Sequence, residues 1–256
     1  MPSDLTSYRS SLAEQQRIAD LFALLPASGC NALDIGARDG YLSRMLAERF
    51  DRVVALDLEK PDIEHPKIVP MQGNIADSKF SDNQFDAVLC AEVLEHIPPH
   101  LLTRSCHEIA RIARNKVVIG VPYRQDLRCG RTTCANCGKT NPPWGHVNSF
   151  DENRLRMLFP ALILEKMTFV GFCCEGTNSI STALLDYAGN PYGTWQQDEP
   201  CIHCGGPIGS PKARNPFQRI STRVAFLINR FQGLTIKPHG NWIHVLFAKP
   251  SATTTY

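Results

Sequence analysis

Short apolar runs alternate along the chain with stretches whose apolar residues have helical spacing. Runs of four or five mostly apolar residues, rich in Val, Ile and Leu, are typical of buried strands. Most of these runs are separated by helical stretches, a pattern that favours a parallel sheet with helical crossovers. The first five strands are predicted at residues 31–35, 52–56, 67–71, 85–89 and 116–119.

A leading helix and an interrupted second half complete this pattern. Ser11 and Glu14 have the spacing of a capping box, and a stripe of apolar residues from Leu12 to Leu25 predicts a helix that Pro26 ends. After the fifth strand, two segments rich in Gly, Pro and Asn interrupt the regular alternation. Between and after them we predict a helix at 152–158, a strand at 162–169, a helix at 217–231 and a last strand at 242–247.

The interruptions divide the chain into a core and two insertions. We assign residues 1–127 to the core with its leading helix and residues 128–147 to a first insertion. Residues 148–174 continue the core, residues 175–216 form a second insertion, and residues 217–256 contribute a basic helix and the last core strand.

Composition is that of an ordinary globular protein. The 256 residues are 43% hydrophobic and 20% charged, which is enough to bury one sizeable core and excludes a disordered tail. The sequence has no run of 18 apolar residues and no signal-peptide pattern, so we expect a cytoplasmic protein without a membrane span. The net charge of +2 points to no polyanionic partner by itself, although residues 205–256 contain seven basic residues and no acidic one.

A glycine turn and an acid follow the first two predicted strands. Gly36 comes directly after the first strand, and Asp57 ends the second strand 21 residues later. This spacing suits a nucleoside ligand whose ribose hydroxyls bind the acid. Asp34 precedes the first glycine and would repel a pyrophosphate, which disfavours a dinucleotide.

Four motifs in order resemble those of class I S-adenosylmethionine (SAM)-dependent methyltransferases of the small-molecule, type 11-like superfamily. They are residues 33–40 (LDIGARDG), 53–57 (VVALD), 73–80 (GNIADSKF) and 85–96 (FDAVLCAEVLEH). The resemblance covers roughly residues 12–122. It implies an α/β fold with a doubly wound, mostly parallel seven-stranded sheet and an antiparallel last strand. The alternative is a Rossmann-like domain that has lost its cofactor.

The resemblance also implies a set of SAM-binding residues. Those expected to surround the cofactor are Asp34, Gly36, Ala37, Arg38, Gly40, Asp57, Leu58, Asn74, Ile75, Cys90 and Glu92. The residues from Asp34 to Gly40 would surround the methionine part, and Asp57 would bind the ribose. Leu58, Asn74 and Ile75 would contact the adenine, and Cys90 with Glu92 would close the pocket. Arg38 replaces a usual glycine, so it must tolerate the dihedral angles of the turn or contact the cofactor carboxylate.

Two Cys-x-x-Cys-Gly units point to a structural zinc site. They are formed by Cys134 and Cys137 in the first insertion and by Cys201 and Cys204 in the second. Two such units supply four thiolates, and a closed four-cysteine site is typical of structural zinc. We therefore predict a small zinc-binding subdomain that fastens the two insertions over the acceptor pocket. Three further candidate ligands are Cys129, His146 and His203.

Several residues could supply a base for an acceptor hydroxyl. His96, His146 and Tyr123 each follow an element expected to line the pocket, although a structural hydrogen bond is the alternative role for each histidine. The fourth motif lacks an Asn-Pro-Pro-Tyr type sequence, which by resemblance disfavours a nucleobase amine. We expect a small-molecule acceptor, and the sequence leaves an O, N or C methyl acceptor atom open.

The basic helix at 217–231 admits two interpretations. Arg219, Arg223 and Arg230 lie on one predicted face, opposite an apolar face, so a solvated basic face over a packed apolar one is expected. Alternatively, the arginines attract an anionic acceptor such as a nucleotide-linked sugar, a lipid head group or RNA. Two other functions stay open: an RNA methyltransferase that uses the cysteine knuckles and the basic helix, and a non-catalytic adaptor. The apolar residues of this helix are Phe217, Ile220, Val224, Leu227 and Phe231.

Overall fold

The computed structural model describes residues 9–250, which form two compact units. We call them the sheet unit and the cysteine unit. The sheet unit consists of residues 9–123, Phe150–Gly171 and 241–250, and the cysteine unit of Arg124–Ser149 and Phe172–Gly240. The helix predicted at 217–231 therefore belongs with the cysteines, and the last strand, which we grouped with it, belongs with the sheet.

The sheet unit is built on seven strands in the order β3-β2-β1-β4-β5-β9-β8. Strands β1 to β5 are parallel, and β9 runs antiparallel to both of its neighbours, β5 and β8. This confirms the predicted α/β class and the antiparallel last strand. The strands are β1 (Gly29–Ile35), β2 (Phe50–Asp57), β3 (Ile68–Gln72), β4 (Phe85–Ala91), β5 (Ala113–Pro122), β8 (Ile163–Val170) and β9 (Trp242–Ala248).

Helices cover both faces of this sheet. They are α1 (Leu12–Leu24), α2 (Tyr41–Ala47), α3 (Pro99–Ile112) and α4 (Glu152–Leu158). One apolar cluster joins α1 and α2 to strand residues such as Val53 and Ala55, and the other joins α3 and α4 to residues such as Val54 and Leu56. Because side chains alternate across a strand, β2 contributes to both clusters through its apolar residues 53–56.

The buried face of α1 confirms the predicted apolar stripe at Ile18, Leu21, Phe22 and Leu25 but not at Leu12. Leu12 is 76% exposed, whereas Glu14 and Arg17 are buried together with Leu21. Positions 14, 17 and 21 follow the three- and four-residue spacing of one helix face. Arg17 and Glu14 can occupy that face because they form a bidentate pair with both N–O distances 2.7 Å.

The cysteine unit contains a short hairpin and a helix pair. Strands β6 (Thr132–Thr133) and β7 (Thr140–Asn141) pair beside the first Cys-x-x-Cys. Helices α5 (Ser179–Tyr187) and α6 (Pro216–Gly233) each begin with a capping box, at Asn178 and Asn215 respectively. No helix within residues 9–250 combines the length and apolar character needed to cross a membrane.

The orientation of α6 contradicts the expectation of a packed apolar face. Its buried residues are Ser221, Thr222 and Ala225, and polar contacts hold it to α5. Ser221 Oγ donates to the Leu184 carbonyl oxygen at 2.9 Å, and Gln218 Nε2 donates to the Tyr187 carbonyl oxygen at 3.1 Å. The small residues let the two helices approach closely, and the five apolar residues Phe217, Ile220, Val224, Leu227 and Phe231 are exposed.

Candidate functional site

The turn after β1 is fastened to the end of β2. In the parallel register Ile35 is paired with Leu56, so the chain leaves both strands at the same level. The backbone N–H groups of Gly36 and Ala37 then donate to the Leu56 carbonyl oxygen at 2.8 and 3.1 Å. These bonds hold the glycine turn beside Asp57.

Three residues of this turn have left-handed backbone conformations. Gly36 and Gly40 have φ angles of 77° and 76°, and a Cβ at Gly36 would lie 2.3 Å from Val93 Cγ2. A larger residue at Gly36 is therefore both strained and sterically blocked. Arg38 adopts φ of 49°, so this residue tolerates the turn, as one of the two predicted options required.

Asp57 has its carboxylate oriented by the backbone. Oδ2 accepts from the Arg38 N–H at 2.8 Å, and Oδ1 accepts from the Leu58 N–H at 2.7 Å. A carboxylate oxygen has a second lone pair, so both atoms can still accept from a ligand. Leu58 is 67% exposed directly beside this carboxylate.

The predicted cofactor residues divide into an accessible and a buried group. Gly36, Arg38, Leu58 and Asn74 are exposed, and Asp57 and Glu92 are half-buried. Asn74 Oδ1 accepts from the Ala76 N–H at 2.9 Å, which caps a turn of 3-10 helix at Ile75–Asp77. The buried group is Asp34, Ala37, Gly40, Ile75 and Cys90.

Asp34 connects two elements inside the fold. Its side chain is buried, and Ser43 Oγ in α2 donates to Oδ2 at 2.6 Å. Burial raises the pKa of Asp34 to about 7, although the hydrogen bond from Ser43 favours the ionised form. The carboxyl therefore links β1 to α2, and its predicted contact with the cofactor stays a prediction.

Glu92 lies at the end of β4 in a polar cluster. Its backbone is left-handed, with φ of 56°, and Oε2 accepts from Trp242 Nε1 at 3.2 Å. Arg17 Nη1 lies 3.8 Å from Oε1, which has no hydrogen-bond partner among the described residues. Burial raises the pKa of Glu92 to about 7, and the charge of Arg17 opposes that shift.

Glu95 is a second buried carboxyl of this cluster. Its side chain is fully buried, and neither carboxyl oxygen has a hydrogen-bond partner within residues 9–250. Burial raises the pKa of Glu95 well above its usual range, and the charge of Glu92 adds to the effect. An uncharged Glu95 can donate or accept a hydrogen bond, whereas an unpaired buried carboxylate would be costly.

Sequence reasoning missed Arg17, Trp242 and Glu95 as members of this cluster. One signal was present in α1, where Glu14 and Arg17 interrupt a buried apolar face. For Trp242 there was no local signal, because only the pairing of β9 with β5 brings it to Glu92.

The three candidate bases are engaged to different degrees. Tyr123 Oη, in the sheet unit, donates to Glu152 Oε1 at 2.7 Å, and its ring packs edge-on against Phe169. His146, in the cysteine unit, has Nδ1 at 2.6 Å from Gln125 Oε1. His96 is partly exposed at the end of the β4 segment, and partial burial together with the Arg38 charge lowers its pKa to about 4.

The cysteine unit brings four thiols together. Cys134 Sγ lies 3.8 Å from Cys204 Sγ, Cys137 Sγ lies 3.6 Å from Cys201 Sγ, and all four sulfurs lie within 4.8 Å of one another. These distances exceed a disulfide bond, and all four cysteines are free. Zn–S bonds of about 2.3 Å in a tetrahedron would place sulfurs about 3.8 Å apart. The set therefore has the ligand type and spacing of a four-cysteine zinc site.

The surroundings of the thiols match a pair of metal knuckles. Gly138 and Gly205 follow the two Cys-x-x-Cys units with φ of 72° and 68°, and their N–H groups donate to the carbonyl oxygens of Cys134 and Cys201. The three further candidate ligands lie outside the cluster. Of these, His203 Nε2 lies 3.0 Å from the Thr140 carbonyl oxygen.

An open cleft of about 740 Å³ lies at the opposite edge of the sheet. It is lined by Gly29, Cys30, Asp86 and Lys116, where β1, β4 and β5 begin or pass. Ligands of open α/β sheets bind at the carboxyl ends of the strands, so the edge with Gly36 and Asp57 is the candidate site.

Comparisons with known proteins show which class of domain part of this chain resembles. Residues 33–119 match the family model described as a methyltransferase domain, and this range contains the end of β1, all of β2 to β4, most of β5 and the glycine turn. This part of the chain is therefore similar to a methyltransferase domain.

Individual relatives match only part of this chain. An uncharacterized methyltransferase of Mycobacterium tuberculosis is 34% identical over 113 residues, which are 42% of this chain and 45% of that protein. A ubiquinone biosynthesis O-methyltransferase of Pseudomonas aeruginosa is 28% identical over 95 residues, which are 33% of this chain and 41% of that protein. The chain thus spans less than half the length of these curated relatives.

Solved structures share the fold over most of this chain. A putative methyltransferase of Bacillus halodurans has a TM-score of 0.57 at 14% identity, covering 91% of this chain and 99% of that one. The N-methyltransferase NodS of Bradyrhizobium japonicum, in complex with S-adenosylhomocysteine (SAH), has a TM-score of 0.52 at 14% identity, covering 97% of this chain and 93% of that one.

Asp34 makes the stability of the sheet unit depend on pH. Its pKa is about 7 in the folded state and about 3.9 in an unfolded chain, so the folded state binds more protons between these values. The contribution of Asp34 to the free energy of unfolding is therefore full below about pH 4 and is lost as the pH rises through about 7. The Asp34→Asn variant has no such proton to release.

We expect the unaltered protein to lose more stability between about pH 5 and pH 7.5 than Asp34→Asn does. Urea unfolding at both pH values measures the difference. Asp51→Asn, an exposed carboxyl at the start of β2, is the matched control and should follow the unaltered protein. Equal losses in Asp34→Asn and the unaltered protein would contradict the assignment.

Proposed function

We propose that this chain is an enzyme that transfers the methyl group of SAM to a small-molecule acceptor. The observation that carries the proposal is the fastening of the glycine turn, through the Leu56 carbonyl oxygen, beside the oriented carboxylate of Asp57. This arrangement offers bare backbone, a hydrogen-bond acceptor and an exposed apolar surface at one edge. Those are the features that an adenosyl group linked to an amino acid requires.

Each accessible residue has a proposed contact with the cofactor. Asp57 accepts from the ribose hydroxyls, using the lone pairs that the backbone donors leave free. Leu58 packs against the adenine, and Asn74 offers its amide to the adenine edge. Gly36 lets the amino-acid end approach the backbone. The buried residues act mainly by shaping the bottom of the cofactor pocket and the glycine turn, because they belong to the packed interior. They are Ala37, Gly40, Ile75 and Cys90.

Bound SAM supplies a methyl group that is already activated on a sulfonium. The work left to the protein is to align the acceptor atom and exclude water. His96 is uncharged near pH 7 because of its lowered pKa, so it can accept a proton or hydrogen bond from an acceptor, as a weak base. Tyr123 instead contributes to positioning, since its hydroxyl donates to Glu152.

The polar cluster around Glu92 supports an acceptor that carries a hydroxyl or amine group. Glu92 Oε1 and both oxygens of Glu95 are buried without hydrogen-bond partners in the described part of the chain. Groups of this kind are costly unless a donor reaches them. Arg17 and Trp242 orient the side chain of Glu92. A hydroxyl or amine group of the methyl-accepting substrate could therefore donate a hydrogen bond to Glu92 Oε1 in a defined position. The O-methyltransferase named among the relatives is consistent with such chemistry.

The cofactor proposal is tested by calorimetry with SAH. Asp57→Asn removes the charge and one acceptor oxygen, so we expect affinity for SAH to fall by about 10- to 100-fold. Asp51→Asn changes an exposed carboxyl at the other end of the same strand and should bind like the unaltered protein. If the unaltered protein does not bind SAH, or if Asp57→Asn binds equally well, the cofactor assignment is wrong.

The acceptor class is tested with SAM that carries a labelled methyl group. The protein is incubated with the low-mass fraction, the RNA fraction and the protein fraction of a bacterial extract. We expect label in the low-mass fraction, and Asp57→Asn should remove most of it. Label that accumulates only in RNA or in protein would contradict a small-molecule acceptor.

We further propose that the four-cysteine cluster binds a structural zinc ion. Cys134, Cys137, Cys201 and Cys204 leave no open coordination position, so the ion would hold the two insertions together rather than activate water. Bound zinc would also compensate for a small apolar core, because the buried apolar cluster here comprises Cys134, Cys201 and Ile208 with Trp195 packed against it.

Metal analysis tests the zinc proposal. We expect about one zinc ion per chain in the unaltered protein and little zinc in Cys134→Ser, because three thiolates bind zinc less tightly than four. Cys129→Ser is the matched control, since Cys129 lies in the same unit outside the cluster and should retain the metal. Zinc loss in Cys129→Ser, or none in Cys134→Ser, would overturn the ligand assignment.

A further inference from the structure

The exposed side of α6 is an apolar stripe on a helix that is already packed. The stripe is defined by residues Phe217, Ile220, Val224, Leu227, Phe231 and Leu234. Phe217 is 74% exposed, Phe231 64% and Leu234 82%. The spacing of three or four residues puts the members on one side of the helix, so they form a continuous surface.

The stripe is distinct from the face that packs against α5. Ser221, Thr222 and Ala225 are the buried residues, and they lie roughly opposite to or at a right angle from the stripe. The stripe is therefore not needed to hold α6 in place. A contiguous patch of exposed apolar side chains of this size marks a surface that binds an apolar partner, such as a protein or a membrane.

An arginine row borders the stripe. Arg219, Arg223 and Arg230 are exposed, and each directly precedes a stripe residue at 220, 224 or 231. Within residues 9–250, none of these three arginines forms a salt bridge with a carboxylate. The segment 205–256 contains no acidic residue at all. The surface is thus apolar along one side and positively charged along the next.

Aromatic side chains lie on the side of the arginine row that faces away from the apolar stripe. Phe226 and Tyr192 are 46% and 66% exposed, and their rings stack edge to face at 5.2 Å. The Arg214 guanidinium lies 5.4 Å from the centre of the Tyr192 ring. Amphipathic aromatic rings beside arginines are typical of the boundary between lipid headgroups and acyl chains.

We propose that α6 lies in the plane of an anionic lipid surface. The apolar stripe enters the acyl boundary, and Arg219, Arg223 and Arg230 reach the anionic headgroups. Charge complementarity selects this occupant. The α6 face of a second copy would bring the same arginines and no acid, and a nucleic acid would leave the apolar stripe without an apolar partner.

Vesicle flotation tests this proposal with the full chain. One set of vesicles is phosphatidylcholine alone, and a second contains about one-third phosphatidylglycerol. We expect the protein to float with the anionic vesicles and much less with the neutral ones. Added salt should weaken this binding, because screening reduces the attraction of arginines to a charged surface.

Matched variants locate the contact. The double variant Phe217→Gln with Phe231→Gln should lower the membrane partition coefficient by at least about tenfold, because it loses the free energy gained when the two rings move from water into the bilayer. Arg219→Gln with Arg223→Gln should lower it by roughly twentyfold on anionic vesicles only. The controls are Met157→Gln and Arg156→Gln on α4, where Met157 is 72% exposed and Arg156 is exposed. Neither control should change flotation.

Three outcomes overturn the proposal. The protein could bind neither vesicle, the α6 variants could bind as well as the α4 controls, or the stripe could mediate self-association. Sedimentation equilibrium identifies the last case, in which Phe217→Gln with Phe231→Gln would convert a dimer to a monomer. Hydrogen exchange on the unaltered chain provides a measurement that needs no variant. Amides of residues 216–234 should exchange more slowly with anionic vesicles, and unchanged exchange would also refute the contact.

Discussion

The register between β1 and β2 is the constraint on which the rest of the structure depends. Pairing Ile35 with Leu56 brings the turn after β1 to the Leu56 carbonyl oxygen and to the carboxylate of Asp57. A slip of one residue would turn every β2 side chain to the other face of the sheet. Because both faces of β2 are buried against helices, such a slip gains nothing in the core and destroys the site. The geometry of the site and the packing of the core therefore have one origin.

The carboxyl ends of the strands also hold groups that a fold selected only for stability would avoid. Asp34, Glu92 and Glu95 are carboxyls whose pKa values are raised by burial, and three of their oxygens have no hydrogen-bond partner in the described residues. Buried polar groups without partners lower stability. Asp34 precedes the glycine turn in β1, and Glu92 and Glu95 follow the end of β4. Such a concentration of perturbed carboxyls is typical of a binding site, where stability is exchanged for recognition. Arg17 limits the cost by pairing with Glu14 and lying near Glu92.

The cysteine unit follows different physical rules from the sheet unit. Its buried apolar cluster is small, and it contains cysteines whose thiols contact those of cysteines 64 and 70 residues away in the sequence. A metal ion can supply the cross-link that such a core lacks. The same shortage of packing partners explains α6. This helix attaches through small residues and side-chain hydrogen bonds, so its largest apolar residues stay available for an external surface.

The sequence alone was sufficient for features that depend on local patterns. Buried strands of a parallel sheet are apolar runs, so the α/β class and the positions of β1 to β5 could be predicted, with the ends extended by pairing to neighbours. Glycines 36 and 40 were visible because only a turn with positive φ requires them there, and the knuckle cysteines were visible because metal ligands have short, fixed spacing. Features set by distant contacts required the tertiary structure. Trp242 reaches Glu92 only through the pairing of β9 with β5. Arg17 can be buried in α1 because Glu14 pairs with it, whereas Leu12 is exposed. An amphipathic pattern reveals that α6 has two faces, but which face is buried depends on the shape and hydrogen bonds of α5, and that information lies in another segment of the chain.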